Sequence, residues 1–316
     1  MKSLVLDSIG IPEELCRGVP PTCEIIQVPP GKAVPFERVR HARSWIVDAR
    51  TKVDRAVLDQ LPHLLAVSKF GVGIDNIAVQ DATERRVWVC NTPGVLDDAV
   101  AELTIGMIIA AGRKIVAFDR LIRAGAWTIT PPELTGQVHG ATLGVVGMGR
   151  IGRRVAQLAS ALGMRVVYHN RRRIRDAETR GLAEYVSWPD LFEQCDYVTI
   201  HTPLTDETRR LVGSAELARM KATAVLVNTS RGGVIDERAL IQCLRERRIA
   251  GAALDVFEQE PLLPDHPLRT LDNVILLPHV GSATERTRSA MRELALANAV
   301  TAAQGERPST TINSWQ

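Results

Sequence analysis

Several things are scarce in this 316-residue chain, and each scarcity removes a class of function. Aromatic residues make up only 4% of it. Neither sign of charge dominates, with 39 Lys and Arg against 36 Asp and Glu, a formal net charge of +3 and a pI near 8.7. No basic stripe is interleaved with aromatics, so nucleic acid is not an expected partner. The slight basic balance suits attraction of small anions. Cysteine is sparse as well: Cys16, Cys23, Cys90, Cys195 and Cys243. None forms a C-x-x-C pair and their number is odd, which argues against a zinc site or a disulfide framework. Reduced thiols in a cytosol are the simpler reading. The longest apolar run, residues 103–111, is too short to span a bilayer. Residues 1–7 read as a short strand rather than a secretory leader. The expectation is a cytoplasmic protein with no membrane partner. Low-complexity segments and coiled-coil heptads are missing too.

What is present is a globular composition, 45% hydrophobic and 24% charged. The length allows about two domains of ordinary size. The most informative stretch is Gly147-Met148-Gly149-Arg150-Ile151-Gly152. It follows the apolar run Thr142-Leu143-Gly144-Val145-Val146 and opens a segment of helical periodicity. Strand, glycine turn and helix form the context in which G-x-G-x-x-G signals dinucleotide binding. The first glycine permits a tight turn, the second lets backbone approach a pyrophosphate, and the third lets helix and strand pack closely. The pyrophosphate then meets free N–H groups at the helix start. A tight turn with no ligand is the plain alternative.

The end of the next strand bears on which dinucleotide. After Arg165-Val166-Val167-Tyr168, Asn170 stands about where an acidic residue would hold a ribose 2′-hydroxyl. No acid is there. Arg171, Arg172 and Arg173 follow, with Arg175 beyond. Guanidinium groups suit a 2′-phosphate by charge and by forked hydrogen bonding. This favours NADP over NAD, although Asn170 can serve either ribose and a run of arginines can be merely solvated.

The first third of the chain alternates β-rich runs with helical spacing. The predicted strands are residues 4–6, 24–26, 45–47, 64–67 and 87–89, and Val53, Leu58 and Leu61 have helical spacing. The middle repeats this grammar at 143–146, 166–168, 197–200, 224–227, 252–254 and 274–277. Runs such as Val225-Leu226-Val227 suit strands buried on both faces. A helical segment begins near Asp97 or Asp98, and one last helix spans 283–304. The expected class is α/β, with two doubly wound parallel sheets.

Several blocks are specific: Asn228-Thr229-Ser230-Arg231-Gly232-Gly233-Val234-Ile235-Asp236-Glu237; Ala253-Leu254-Asp255-Val256-Phe257-Glu258-Gln259-Glu260-Pro261; and Leu277-Pro278-His279-Val280-Gly281-Ser282. With the glycine turn, Lys69-Phe70-Gly71-Val72-Gly73-Ile74-Asp75-Asn76 and Asn91-Thr92-Pro93-Gly94, they run in order through nearly the whole chain. The chain resembles the D-isomer-specific 2-hydroxyacid dehydrogenases. The resemblance implies a Rossmann cofactor domain over residues 98–285, inserted into a flavodoxin-like substrate domain of residues 1–97 and 286–316. It implies a homodimer formed through the cofactor domain, and a small 2-keto or 2-hydroxy acid as substrate. No metal is implied.

The resemblance also assigns roles. Arg231 would grip the substrate carboxylate and polarise the keto oxygen. His279 would be the general acid in reduction and the base in oxidation, with Glu260 fixing its orientation. The backbone at Val72 and Gly73 would bind the carboxylate from the opposite domain. Asp255 would meet the carboxamide end of the nicotinamide. The remaining cofactor positions would be Thr104, Gly147, Gly149, Arg150, Ile151, Gly152, Asn170, Arg171, Arg172, Thr202, Pro203, Thr229, Ser230 and Gly281. His201 lies where the family contacts cofactor and receives no acid role.

These roles suit the chemistry. Hydride transfer to a 2-keto acid builds negative charge on the carbonyl oxygen, which a fixed guanidinium in a dry cleft stabilises. A proton must also arrive, and histidine is the side chain adapted to deliver it near neutrality. A carboxylate beside it favours the protonated form and holds one tautomer. Taken singly, Arg231 reads more readily as a surface ion pair, His279 as a satisfied loop residue and Glu260 as loop polarity. Their order and shared position after apolar strands give them force. Trp127 reads either as an arm across a dimer partner or as core packing. His41, His63 and His139 have no supporting context.

The leading expectation is NADPH- or NADH-dependent reduction of glyoxylate or hydroxypyruvate. A phosphoglycerate dehydrogenase lacking its regulatory domain is the rival enzyme, since the chain stops near Gln316 with no room for one. Formate dehydrogenase fits less well, because its histidine pairs with an amide where Glu260 stands. A dinucleotide-sensing, corepressor-like binding protein is the rival from another class.

Overall fold

A computed structural model describes residues 2–127, 134–179 and 181–315. The chain opens with β1 (Ser3–Asp7), α1 (Glu13–Cys16), β2 (Cys23–Gln27), α2 (Phe36–Val39), β3 (Ala42–Val47), α3 (Arg55–Asp59), β4 (Ala66–Lys69), α4 (Val79–Glu84) and β5 (Trp88–Cys90). Next come α5 (Asp97–Gly112), α6 (Ile115–Arg123), β6 (Thr142–Val146), α7 (Arg150–Ala161), β7 (Arg165–His169), α8 (Arg175–Thr179), β8 (Glu184–Tyr185) and α9 (Trp188–Gln194). Then follow β9 (Tyr197–Ile200), α10 (Ser214–Arg219), β10 (Val225–Asn228), α11 (Glu237–Arg245), β11 (Gly251–Leu254), β12 (Val274–Leu276) and α12 (Glu285–Ala303).

Two compact units result. One comprises Met1–Leu96 with Ala283–Gln316, and the other Asp97–Ser282. The first holds a parallel sheet in the order β2-β1-β3-β4-β5. This is the flavodoxin-like winding, which reverses between β1 and β3. The second holds a seven-stranded parallel sheet, β12-β11-β10-β9-β6-β7-β8. Its winding reverses at β6, so the glycine turn leaves β6 at the switch point where open α/β sheets bind ligands.

Burial follows the sequence pattern. All of β9, β10 and β11 is buried, as continuous apolar runs in a two-sided sheet require. Side chains start the helices. Asp54, Ser187, Asp236 and Thr284 each accept a backbone N–H in the first turn of α3, α9, α11 and α12.

Two local expectations need correction, and two elements were not foreseen. The strand expected at 64–67 lies at Ala66–Lys69. Leu64 and Leu65 are apolar, but the Leu64 N–H closes a turn onto Leu61. The strand instead takes in Ser68 and Lys69, buried polar residues that hydrophobicity cannot flag. Ser68 Oγ donates to the Ala295 carbonyl of α12 at 2.8 Å, which explains its burial. The two-residue strand β8 has too few positions to show a period, and helix α6 was also not foreseen. Trp127 is 79% exposed, so it is not core packing within its own chain.

Candidate active site

In the second unit the parallel register sets the site. Val146 pairs with His169 and with Ile200, Ile200 with Asn228, Asn228 with Leu254, and Leu254 with Leu276. The residues that follow these strand ends therefore emerge along one edge: Gly147, Asn170, His201 and Thr202, Thr229 to Arg231, Asp255, and Leu277 to His279. Sequence separations of up to about 130 residues collapse onto one carboxyl edge.

The glycines of the turn have separate physical reasons. Gly147 has φ +98°, and a Cβ there would lie 2.9 Å from the His201 carbonyl carbon. A Cβ at Gly152 would overlap the Gly147 carbonyl oxygen, so α7 could not approach β6. Gly149 has nothing within 4 Å of the position a Cβ would take. It caps the start of α7 and leaves that approach open to a ligand. The turn is pinned by Asn170, whose Oδ1 accepts the Met148 N–H at 2.7 Å. Nearby, Thr202 Oγ1 is buried with no hydrogen-bond partner among the described residues. A buried hydroxyl without a partner costs free energy unless another polar group meets it. Open space above Gly149 and an unsatisfied Thr202 hydroxyl both fit a dinucleotide.

The other expected cofactor positions are distributed as follows. Thr104 Oγ1, on α5, lies 2.9 Å from Thr229 Oγ1. The Pro203 carbonyl accepts from Thr208 Oγ1 at 2.6 Å. Arg150 points its Nε at Asp97 Oδ2, 2.8 Å away, and Ile151 packs into the apolar layer under α7. Arg171 pairs loosely with Glu207 at 3.3 Å, both side chains well exposed. Arg173 is committed to Glu178 and lies over the Tyr185 ring. Arg172 is exposed and without a charged partner among the described residues.

The catalytic candidates are held by backbone. Asp255, at the end of β11, is 1% exposed. Its Oδ1 accepts the Val280 N–H and its Oδ2 the Gly281 N–H, each at 2.8 Å. The Asp255 carbonyl accepts the His279 N–H at 2.9 Å. Desolvation pushes the Asp255 carboxyl above its ordinary value, against the opposing pull of the two N–H bonds and of His279. These three bonds hold His279 in the left-handed region, at φ +55°. That conformation costs about 1–3 kcal/mol for a residue with a Cβ and persists only where its surroundings fix it.

His279 Nδ1 lies 2.7 Å from Glu260 Oε2, while Glu260 Oε1 accepts the Phe257 N–H at 3.0 Å. With Nδ1 facing a carboxylate, the ring proton belongs on Nδ1, and Nε2 is the atom left to exchange protons. Desolvation pulls the Glu260 carboxyl upward. The His279 bond, the imidazole charge, the Phe257 N–H and the Arg231 guanidinium outweigh it, so the carboxyl sits below its ordinary value. Arg231 itself follows β10. Asn228 secures it by donating from Nδ2 to the Arg231 carbonyl and accepting at Oδ1 from the Ser230 N–H, both at 2.9 Å. Arg231 Nη1 donates to the Ser230 carbonyl at 2.9 Å. A Cβ at Gly232 would overlap the Phe257 carbonyl, so only glycine lets the arginine loop press against the loop that carries Glu260. Sequence reading missed Asn228 and Gly232 as positioning residues. A glycine directly after a candidate arginine was the available signal.

His201 takes no part in acid chemistry. Its Nε2 lies 3.0 Å from Thr199 Oγ1, and desolvation pushes the ring down to about 3, so it stays neutral. In the first unit, the loop after β4 shows a different preparation. The Gly71 carbonyl accepts from Thr92 N–H at 3.0 Å and the Val72 carbonyl from Asn91 Nδ2 at 2.9 Å. The N–H groups of Val72 and Gly73 have no acceptor among the described residues. Successive free N–H groups at a strand end suit an anion. No metal-binding group of His, Cys, Asp and Glu occurs among the described residues.

The chain is also similar to known proteins. Residues 105–281 match the family described as D-isomer specific 2-hydroxyacid dehydrogenase, NAD binding domain. The chain is 46% identical over 291 residues to a glyoxylate reductase of Aeropyrum pernix, covering 90% of this chain and 87% of that one. It is 39% identical over 321 residues to glyoxylate/hydroxypyruvate reductase B of Salmonella newport, covering 99% and 98%. Among solved structures, a glyoxylate reductase from Paecilomyes thermophila superposes with a TM-score of 0.90 at 31% identity, covering 98% of both chains. An NADPH-dependent glyoxylate/hydroxypyruvate reductase from Sinorhizobium meliloti, solved with NADP and malonate, gives 0.84 at 30% identity, covering 99% and 97%.

Proposed function

Because the chain belongs to the D-isomer specific 2-hydroxyacid dehydrogenase family, we propose that it reduces glyoxylate and hydroxypyruvate to glycolate and D-glycerate, with NADPH preferred over NADH. Substrate class is supported by the names of its relatives, and the cofactor preference by Arg171 and Arg172 at the end of β7.

The 147–152 turn and the α7 N-terminus would hold the cofactor at its pyrophosphate, Arg171 and Arg172 at its ribose phosphate, and Thr202, Thr229 and Asp255 further along the sheet edge. When bound, reduced nicotinamide supplies the hydride. The chain's own residues do the rest. In the first unit the Val72 and Gly73 N–H groups are assigned to the substrate carboxylate, and in the second the Arg231 guanidinium has the same role. Arg231 also stabilises charge developing on the carbonyl oxygen, where a fixed cation is most effective. His279 delivers a proton from Nε2 to that oxygen, and Glu260 holds the ring through Nδ1. In oxidation the same proton returns to Nε2.

The observation that carries this reading is the 2.7 Å approach of Glu260 to His279 Nδ1, which leaves Nε2 as the proton-exchanging atom. Nicotinamide absorbance, followed with NADPH and NADH against a panel of 2-keto acids, tests it. Glyoxylate and hydroxypyruvate should give the highest kcat/KM. Faster oxidation of 3-phosphoglycerate would replace the substrate assignment. Tight cofactor binding without turnover would point to a sensing protein.

A cytoplasmic homodimer completes the proposal. No helix among the described residues is long and apolar enough to cross a membrane. Helix α6 buries none of its side chains, and Ile115, Ile122 and Trp127 stand exposed along that segment. Sedimentation should give twice the chain mass.

A further inference from the structure

Helix α12 carries two arginines that the reaction above does not use. Arg288 and Arg292 lie one turn apart and share a face of the helix. Both are half-buried. The Arg288 guanidinium carbon sits 5.3 Å from the centre of the Phe70 ring, immediately before Gly71. Among the described residues neither arginine has a carboxylate partner, and Arg292 Nε is buried with no hydrogen-bond partner. Even exposed arginines of this chain are often paired, as Arg55 is with Asp81 and Arg247 with Asp272. Here two like charges stand together with part of their hydration removed, an arrangement that costs the fold free energy. Burial first, and then the charge of Arg292, hold Arg288 below its ordinary value.

Their place in the fold is telling. The bond from Ser68 Oγ to the Ala295 carbonyl and the contact of Arg288 with Phe70 run α12 antiparallel to β4. The first turns of α12 thus lie at the carboxyl end of the sheet, where open α/β sheets take their ligands. The loop there also offers the free Val72 and Gly73 N–H groups. Planar guanidinium forks match a carboxylate or a phosphate.

We infer that Arg288 and Arg292 form a second anion subsite beside the Gly71–Gly73 loop, which receives the distal acidic group of a keto acid larger than glyoxylate. The inference rests on the assignment of Val72 and Gly73 to the first carboxylate. It widens the substrate class to doubly charged keto acids, carboxylated or phosphorylated away from the keto carbon.

The test separates this inference from the function itself. Melting of the cofactor-free protein is followed with malonate, a dianion, and with acetate at equal ionic strength. Malonate should raise the melting temperature more than acetate in the natural protein. Arg288→Gln, which keeps length and loses charge, should abolish the difference, and Arg288→Lys should restore part of it. In turnover, Arg288→Gln and Arg292→Gln should cost about tenfold or more in kcat/KM for oxaloacetate or 3-phosphohydroxypyruvate, expressed in KM, the loss of a charge-assisted contact. Glyoxylate should lose less than threefold. Equal stabilisation by malonate and acetate, or equal losses on all substrates, overturns the inference. If no keto acid is reduced, the proposed function falls and the malonate comparison still decides the subsite. A soluble, folded Arg288→Gln protein that keeps the malonate effect also rejects it.

Discussion

The Glu260 carboxylate stands 2.7 Å from Nδ1 of His279 although 19 residues separate them in the chain. The same carboxylate accepts the Phe257 N–H and feels the charge of Arg231. Its carboxyl is therefore held below its ordinary value of 4.5 despite partial burial.

The sign of the pH effect follows. A carboxyl with a lowered folded value stabilises the fold fully above its unfolded value and loses that contribution as pH falls through the folded value. Glu260→Gln should be less stable than the natural protein at neutral pH, and the gap should close below about pH 4.5. Urea unfolding at pH 7 and near pH 3.5 measures both. A gap independent of pH would show that the carboxylate charge has no part in holding this loop.

Arg231→Lys keeps the charge and loses the planar fork. Turnover should fall by about 10²–10³, as for removal of a donor aimed at developing charge. Cofactor affinity should change little. Steady-state rates with glyoxylate, alongside a direct NADPH titration, give both numbers, and a variant with near-normal kcat disposes of the clamp.

Arg171 and Arg172 govern the ribose phosphate in this reading. Replacing both by alanine should erase the preference for NADPH, with a change of about tenfold or more in the NADPH/NADH ratio of kcat/KM. Glu207, 3.3 Å from Arg171, competes for that guanidinium. Glu207→Gln should therefore raise the ratio slightly. An unchanged ratio in the double variant refutes the assignment.

Thr202 Oγ1 is buried and unsatisfied. Thr202→Val removes a hydroxyl that finds no partner in the free protein, so the melting temperature of the cofactor-free form should hold or rise. The KM for cofactor should increase severalfold. Loss of stability together with unchanged cofactor binding would mean the hydroxyl serves the fold alone.

At Gly232 the added Cβ would meet the Phe257 carbonyl, a backbone group that cannot swing aside. Gly232→Ala should destabilise the protein by about 1–3 kcal/mol or more, the scale of overpacking. The displaced Phe257 loop should take Glu260 with it, so kcat should fall even where the chain remains folded. Denaturation midpoints and glyoxylate turnover together read this out, and a fully active, fully stable variant is incompatible with the packing described.

Local sequence carried the alternation of strand and helix, because period and apolar runs are properties of neighbouring residues. It also carried the glycine turn after β6 and the identity of Arg231, Asp255, Glu260 and His279 as residues worth watching. It misplaced β4, since Ser68 and Lys69 are polar and their burial depends on partners such as the Ala295 carbonyl, 227 residues away. It offered no sign of Asn228 fixing the arginine loop, or of Gly232 permitting its approach to Phe257.

The chain's order of residues fixed which chemical groups exist and which strand each one follows. Tertiary structure alone decided which of them meet. The register of seven parallel strands brings their carboxyl ends to one edge, and only there do Asp255, Glu260 and His279 share hydrogen bonds. Arg288 and Arg292 look in sequence like ordinary helix-surface cations. The fold half-buries both, Arg288 against Phe70, with no carboxylate partner among the described residues. The reason is physical: spacing along a helix specifies a face, whereas the charge and solvent that face will meet depend on residues from elsewhere in the chain.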